Sequence, residues 1–515
     1  MSVTTRDSRA ATAPWTNAGE ADDARVRPEP CLIVLFGAGG DLAGRSLLPA
    51  LQELLARDLL PERYAVLGSG RTPMDDTSFR ELARRALDSH DEFTEDRWGR
   101  LAPRLHYARA DAGASLEEGD WNHFADKVDE VRNEHDLPGN TLFHLAVPPS
   151  AFGDIAKRLG EIGEAGAPSG WRRLAVEKPF GSDEDSARAL DAELKAHFDE
   201  DQIFRVDHYL GKETVQNLLV TRFANPGFEP IWNRHYIDHV QITAAESAGV
   251  EGRERFYDRT GVVRDMVQNH LLQLLCFVAA EPPVRCFGSS LRAETRRVLD
   301  AVRPPDPARD LVLGQYRPGS VDGSDARGYR EEESIDADSD TPTFAALRLE
   351  LDSWRWAGVP FYLRTGKRMA KKATEITVRF RPTPQRMFPG VDTFRSQLTF
   401  RLQPAEAVVH TIAAKHPGPQ LSIQPVRMSF SYADAFGLES PPSAYAWLIH
   451  DALLGDQTLF AHSEWIYRAW SLIDELTERG DEDGRTDLQG YPAGSWGPDE
   501  ALELLAREGR AWKPA

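Results

Sequence analysis

The chain has 515 residues, 41% hydrophobic and 28% charged, with 81 acidic against 61 basic side chains and a formal net charge of −20. That length supports two or three domains with sizeable cores. The acidic balance lacks the basic footprint that nucleic-acid binding needs, and no apolar run reaches the roughly 18 residues of a membrane span, so neither is an expected partner. Cys31, Cys276 and Cys286 sit in apolar contexts and make neither a disulfide framework nor a zinc site, which fits a reducing cytoplasm.

Residues 1–28 are rich in Ala, Thr, Asp, Arg and Pro without a period and read as a disordered tail. Asp7, Glu20, Asp22 and Asp23 argue against a transit peptide, and an apolar signal core is lacking. The apolar run 31–36 then enters the turn Gly37-Ala38-Gly39-Gly40-Asp41-Leu42-Ala43 and a helix with Leu47, Leu48, Ala50, Leu51, Leu54 and Leu55 on one face. This is the opening of a Rossmann-type unit, in which Gly37-x-x-Gly40 brings backbone N–H groups to a pyrophosphate at the helix start. Leu42 breaks the usual G-x-G-x-x-G pattern, so the turn alone is either a nucleotide site or a tight structural turn. A second strand at 64–68 leads into Ser69-Gly70-Arg71, with no acid to take a ribose 2′-hydroxyl. A guanidinium suits a 2′-phosphate; Arg71 therefore favours NADP over NAD unless it is an ordinary surface cation. Strands at 105–108, 141–146 and 173–176 alternate with helical patterns at 78–87, 121–135 and 150–160, which predicts a parallel sheet covered on both faces.

The motif Val176-Glu177-Lys178-Pro179-Phe180-Gly181 ends a strand at its carboxyl edge, where Lys178 either enters the cleft or is solvated. The densest chemistry lies in Arg205-Val206-Asp207-His208-Tyr209-Leu210-Gly211-Lys212-Glu213, a strand-to-helix turn. Gly211 is expected to let backbone approach a ligand. A helix N-terminus beside Lys212 and His208 predicts a phosphate or carboxylate site, with Asp207 free for other work.

The pattern changes after residue 206. Period-two alternation at 239–243, 344–351, 375–380 and 397–402 predicts antiparallel strands with one wetter face. Long helices are expected over 261–280, 442–454 and 463–477, and the Pro/Asp/Gly-rich stretch 303–342 reads as an irregular excursion. Two units result: a Rossmann-type α/β domain over 29–206 and a larger α+β domain with a mostly antiparallel sheet over 207–515. The helix at 261–280 carries Arg264, Asp265, Gln268, Asn269 and His270 on an apolar background, and such buried polar groups need partners. His270 alone is a core histidine; beside Asp207 it is a base. The segment 361–368 ends in Arg364, Lys367 and Arg368, with Lys371 and Lys372 beyond, a solvated basic face or an anion site. Metal-ligand spacing is lacking, so metal dependence is not expected.

Together these residues resemble the glucose-6-phosphate dehydrogenase family. The match runs through GAGGDLA at 37–43, EKPFG at 177–181, RVDHYLGKE at 205–213, RDMVQNHLLQ at 264–273 and WRWAGVPFYLRTGKR at 354–368, and covers about residues 30 to 515. The resemblance implies oxidation of glucose 6-phosphate at C1 to 6-phosphogluconolactone with NADP as acceptor, the first oxidative step of the pentose phosphate pathway. By it, His270 is the general base and Asp207 orients it. His208, Tyr209 and Lys212 grip the phosphate, and Lys178, Glu246, Asp265, Lys367, Lys372 and Gln403 contact the sugar side. The cofactor set is Gly37, Ala38, Gly39, Gly40, Asp41, Leu42, Arg71 and Lys178, and a homodimer or homotetramer is implied. Two departures stand out: Gly44-Arg45-Ser46 replaces a more basic run, and His144 replaces an aromatic. A glucose–fructose oxidoreductase type would lack the DHYLGKE turn. A silent NADP-binding sensor would have no reason to keep His270 with Asp207.

Overall fold

Six apolar residues in a row build β1 (Cys31–Phe36), buried along its whole length. Its pleat sends Ile33 and Leu35 into one core and Leu32, Val34 and Phe36 into another, as the central strand of a two-faced parallel sheet must. The computed structural model describes residues 26–88, 90, 93–113, 120–166, 169–286, 288–385, 387–388, 395–419, 421–436, 442–482 and 488–513. Most of the expected tail, residues 1–25, lies outside the described residues. β2 (Tyr64–Gly70), β3 (Leu105–Arg109), β4 (Thr141–Leu145), β5 (Arg172–Glu177) and β6 (Ile203–Val206) complete a sheet ordered β3-β2-β1-β4-β5-β6, with every pair parallel. The order reverses between β1 and β4, which opens a crevice at their carboxyl ends.

The second sheet takes β7 (Ile237–Ala245), β8 (Leu311–Arg317), β11 (Phe344–Leu349), β12 (Phe361–Gly366), β13 (Ala373–Phe380), β14 (Gln397–Gln403), β15 (Ala407–Lys415), β16 (Ile423–Ser431) and β17 (Gln489–Pro492), while β9 (Gly319–Val321) and β10 (Ser324–Ala326) form a separate hairpin. Its order is β16-β15-β14-β13-β7-β12-β11-β8-β17, antiparallel except for β7 with β12 and β8 with β17. The stretch 303–342, expected to be irregular, holds β8. Pro304, Pro305 and Asp306 before it and Pro318 and Gly319 after it mask a short strand that both neighbours pair. β15 and β16 were not apparent either, because β16 turns exposed side chains outward along most of its length.

The helices Ala444–Leu454 and Ser463–Glu482 return to the first sheet. Arg173 Nη1 donates to the Ala452 carbonyl at 2.9 Å and Trp470 Nε1 to the Phe180 carbonyl at 2.8 Å. One core therefore runs from the inner face of the first sheet into the second. Among the described residues no helix is long and apolar enough to cross a membrane.

Candidate active site

β6 ends at Val206, and the chain turns at once through Asp207. The Asp207 Oδ1 accepts the Tyr209 backbone N–H at 2.9 Å, an Asx-type turn that fixes the carboxylate. Across the cleft, the helix expected over 261–280 proves to be composite. Gly261, at φ 64° and ψ 170°, breaks the preceding helix. Val263–Leu271 is then π-helical, with the Leu272 N–H reaching back five residues to the Val267 carbonyl, and Leu272–Ala279 continues as α-helix. The wider turn has a consequence for the site. His270 follows Asp265 by five positions, a step that carries a side chain about 140° around an α-helix but returns it to nearly the same face where hydrogen bonds join i to i+5. Both residues accordingly meet Lys178. Its Nζ lies 2.8 Å from His270 Nε2, 3.0 Å from the Asp265 carbonyl and 3.4 Å from Asp265 Oδ1.

His270 Nδ1 is 2.6 Å from Asp207 Oδ1. The pair meets in distance without the alignment of a linear hydrogen bond, and Asp207 Oδ2 has no partner. Burial pushes Asp207 upward, yet the His270 and His208 side chains and Lys178 hold it well below the usual carboxylate range. For His270, burial acts first and pushes its pKa below the ordinary 6.5; Asp207 opposes this and Lys178 reinforces it. The resting pair is thus an ionised carboxylate and a neutral imidazole. Nδ1 lies beside the acid, and the Nε2 lone pair accepts from the lysine.

The anion side lies under the same turn. Tyr209 stacks on His270 with ring centroids 4.0 Å apart, and His208 meets it edge-on at 5.0 Å. Lys212 Nζ sits 4.1 Å above the Tyr209 ring and is buried with no hydrogen-bond partner. Burial lowers its pKa to about 8. An unpartnered buried ammonium is costly and marks a place for an anion. Two expectations about this turn are corrected. Gly211 is required by packing, since a Cβ there would stand 2.5 Å from the Ala444 carbonyl oxygen. The N-terminus of the helix Glu213–Phe223 already holds a carboxylate of the chain, because Glu406 accepts from the Thr214 N–H at 2.8 Å and from its hydroxyl. An incoming anion therefore meets side chains, not the end of a helix.

The other residues expected on the sugar side stand at the ends of β7, β12, β13 and β14. Glu246, just past β7, pairs with Lys367, just past β12. Lys367 Nζ lies 5.4 Å from the ring of Tyr257, whose hydroxyl is buried without a partner. The acids Asp265 and Glu246 are both close enough to Tyr257 to raise its pKa after burial has done so. Sequence reasoning missed Tyr257 and Glu406; neither stands in a motif that announces chemistry. Gln403 is one step removed, its Oε1 accepting from Thr374 Oγ1 at 3.5 Å. Lys372 is exposed and shares with Gln403 a cavity of about 500 Å³.

At the head of β1, Gly37 adopts φ 81°, and a Cβ there would stand 2.2 Å from the Ala146 oxygen. Gly37 and Ala38 both donate to the Ser69 carbonyl, at 2.8 and 3.1 Å. That leaves Gly39, Gly40 and Asp41 on the exposed crest, followed by Leu42. Asp41 is held by Arg45 at 2.6 Å. Arg71, at the end of β2, is exposed and has no carboxylate partner among the described residues. Its carbonyl accepts Arg109 Nε at 3.0 Å. The bare glycine crest and the unpaired cation fit a dinucleotide.

A doubly wound sheet joined to an open sheet, with a histidine–carboxylate pair where they meet, defines an oxidoreductase that uses a nicotinamide dinucleotide. Residues 34–217 match the glucose-6-phosphate dehydrogenase NAD binding domain and residues 219–513 the glucose-6-phosphate dehydrogenase C-terminal domain. The chain is 44% identical over 491 residues to the glucose-6-phosphate 1-dehydrogenase of Aggregatibacter actinomycetemcomitans, covering 95% of this chain and 98% of that one. It is 39% identical to that of Bacillus subtilis, over 93% and 98% of the two chains. A solved structure of a glucose-6-phosphate dehydrogenase in complex with its substrate glucose-6-phosphate superposes with a TM-score of 0.86 at 34% identity, over 95% and 99%. The chain belongs to the glucose-6-phosphate dehydrogenase family.

Proposed function

We propose that the chain oxidises D-glucose 6-phosphate at C1 to 6-phospho-D-glucono-1,5-lactone with NADP as acceptor, the first oxidative step of the pentose phosphate pathway. The observation that carries this reading is the His270–Asp207 contact, made by two distant pieces of chain at the mouth of a dinucleotide crevice. His270 Nε2 takes the C1 hydroxyl proton. To do so it exchanges its hydrogen bond from Lys178 for one from the sugar, and Lys178 moves onto the sugar oxygens beside Asp265. Asp207 keeps Nδ1 protonated and stabilises the imidazolium as it forms. The nicotinamide ring, when bound, accepts the C1 hydride. Lys212, Tyr209 and His208 take the phosphate, with charge-assisted bonds from the ammonium dominating. Glu246, Lys367, Lys372 and Gln403 line the sugar side. The exposed crest 37–42 holds the pyrophosphate, and Arg71 takes the 2′-phosphate that distinguishes NADP.

The nucleotide part is taken as 29–206 and the sugar part as 207–515, because β6 is the last strand of the first sheet and β7 begins the other. Exposed Val426 and Met428 on the edge strand β16 support assembly into a homodimer or homotetramer. Three unpaired cysteines support a cytoplasmic setting. An absorbance assay of nicotinamide reduction with glucose 6-phosphate, glucose and both dinucleotides tests the reading. Turnover is expected with the phosphorylated sugar and NADP, and Arg71→Ala is expected to weaken NADP by roughly 10-fold or more, the worth of a charge-assisted bond, while sparing NAD. No turnover of glucose 6-phosphate, or an unchanged NADP/NAD ratio in the variant, would count against the two assignments respectively.

A further inference from the structure

A second cluster of imidazoles lies on the opposite edge of the first sheet, away from the His270 cleft. His106, on the edge strand β3, is buried, and its Nδ1 is 3.1 Å from Asp76 Oδ2. The other Asp76 oxygen accepts the Tyr107 N–H at 2.7 Å, so the carboxylate is fixed against the strand. This arrangement commits Nδ1 of His106 as the donor and leaves its Nε2 with a lone pair. That lone pair faces Nε2 of His135 at 2.8 Å. His135 follows the helix Asp120–Glu134 directly, and the carboxylate of Glu134 completes a group whose ligand atoms all lie within 4.8 Å of one another. The two histidines are 29 residues apart, a spacing without a sequence signature.

We infer that His106, His135 and Glu134 form a binding site for a divalent transition-metal ion of the zinc class. Two imidazoles, one carboxylate and an open fourth position are a donor set that zinc accepts. The carboxylate behind His106 is the outer partner that metal-bound histidines regularly have. Facing nitrogens at 2.8 Å share one proton in the absence of an ion, and a dication takes that proton's place. Nitrogens on a tetrahedral zinc at about 2.0–2.1 Å stand about 3.3 Å apart, so the imidazoles need to separate by only about half an ångström. His135, half-buried at a helix end, has the freedom to do this. The site also has a structural reach. Asp76 opens the helix Asp76–Leu87, and the Tyr107 hydroxyl donates to the Thr72 carbonyl at 2.6 Å. An ion here would therefore brace the loop that carries Arg71.

The test uses the full chain, stripped with a chelator and titrated with zinc chloride by calorimetry and with cobalt chloride by visible absorption. Wild type and His270→Asn are expected to bind one equivalent, with the absorption of tetrahedral cobalt. His135→Gln and Glu134→Gln, both at half-buried or exposed positions, are expected to bind at least about 100-fold more weakly while melting like wild type in chelator. The Asp207–His208–His270 group is the competing place for an ion. Binding that survives His135→Gln at wild-type affinity, that disappears in His270→Asn, or that is weaker than about 100 μM in wild type would overturn the site.

Discussion

At the scale of single residues, the proposed base is kept neutral by its surroundings. His270 is almost wholly buried and shares Nε2 with an ammonium, and both influences disfavour the imidazolium. Its pKa lies below 6.5, so the acid limb of kcat/KM should lie below that pH as well. Removing the lysine charge makes protonation easier, so Lys178→Met should move this limb to higher pH. The lost charge-assisted bond, worth about 1.5–3 kcal/mol, should also lower kcat/KM about 10- to 150-fold at neutral pH. A pH–rate profile checks both, and a limb that moves downward would contradict the assigned cause. Lys212 carries the complementary expectation. With a pKa of about 8 it loses its charge as pH rises through that value, and KM for glucose 6-phosphate should climb there. Lys212→Ala should raise that KM by roughly 10- to 150-fold at pH 7, remove the alkaline rise and leave free glucose unaffected. Measured KM values for the two sugars across pH decide the matter.

At the scale of elements, the π-helical stretch Val263–Leu271 sets the geometry, and Gly261 starts it. Its φ of 64° with ψ of 170° belongs to a region open essentially to glycine alone. The nearest atoms to an added Cβ, on Pro342 and Thr341, are at ordinary contact distance. Gly261→Ala should therefore cost about 1–3 kcal/mol of backbone strain rather than a clash. Denaturant unfolding should show that loss, and kcat should fall with little change in dinucleotide affinity, because Asp265 and His270 lose their shared face. The apolar run with embedded polar groups identified a buried helix, and two of its polar residues, Asp265 and His270, do come together at Lys178. The π register did not show, since a shift from i+4 to i+5 bonding leaves no mark in the spacing of a helix that is buried all round. The turn 205–213 behaved likewise. Its residue types announced an anion site, but Gly211 serves the helix Ala444–Leu454 and Glu406 already occupies the helix N-terminus. Long-range partners of that kind leave no local signature. β8 was lost for another reason: breaker residues on both flanks outweighed a short apolar core.

At the scale of the molecule, the two sheets share one core, and the groups proposed to react lie at their seam. Asp207 closes the first sheet, His270 comes from a helix packed on the second, and Lys178 reaches across from β5. The period-two and helix–strand patterns made both sheets readable, because burial on one or two faces writes itself into residue order. Their meeting was not readable and is the claim on which the chemistry rests. Steady-state kinetics of His270→Asn with glucose 6-phosphate and NADP, joined to direct measurement of sugar-phosphate binding, test it most directly. The expected result is a kcat lower by about 10²–10⁴-fold, the worth of a general base, with sugar-phosphate affinity nearly unchanged. A variant that turns over normally, or one whose only defect is weakened binding, would contradict it.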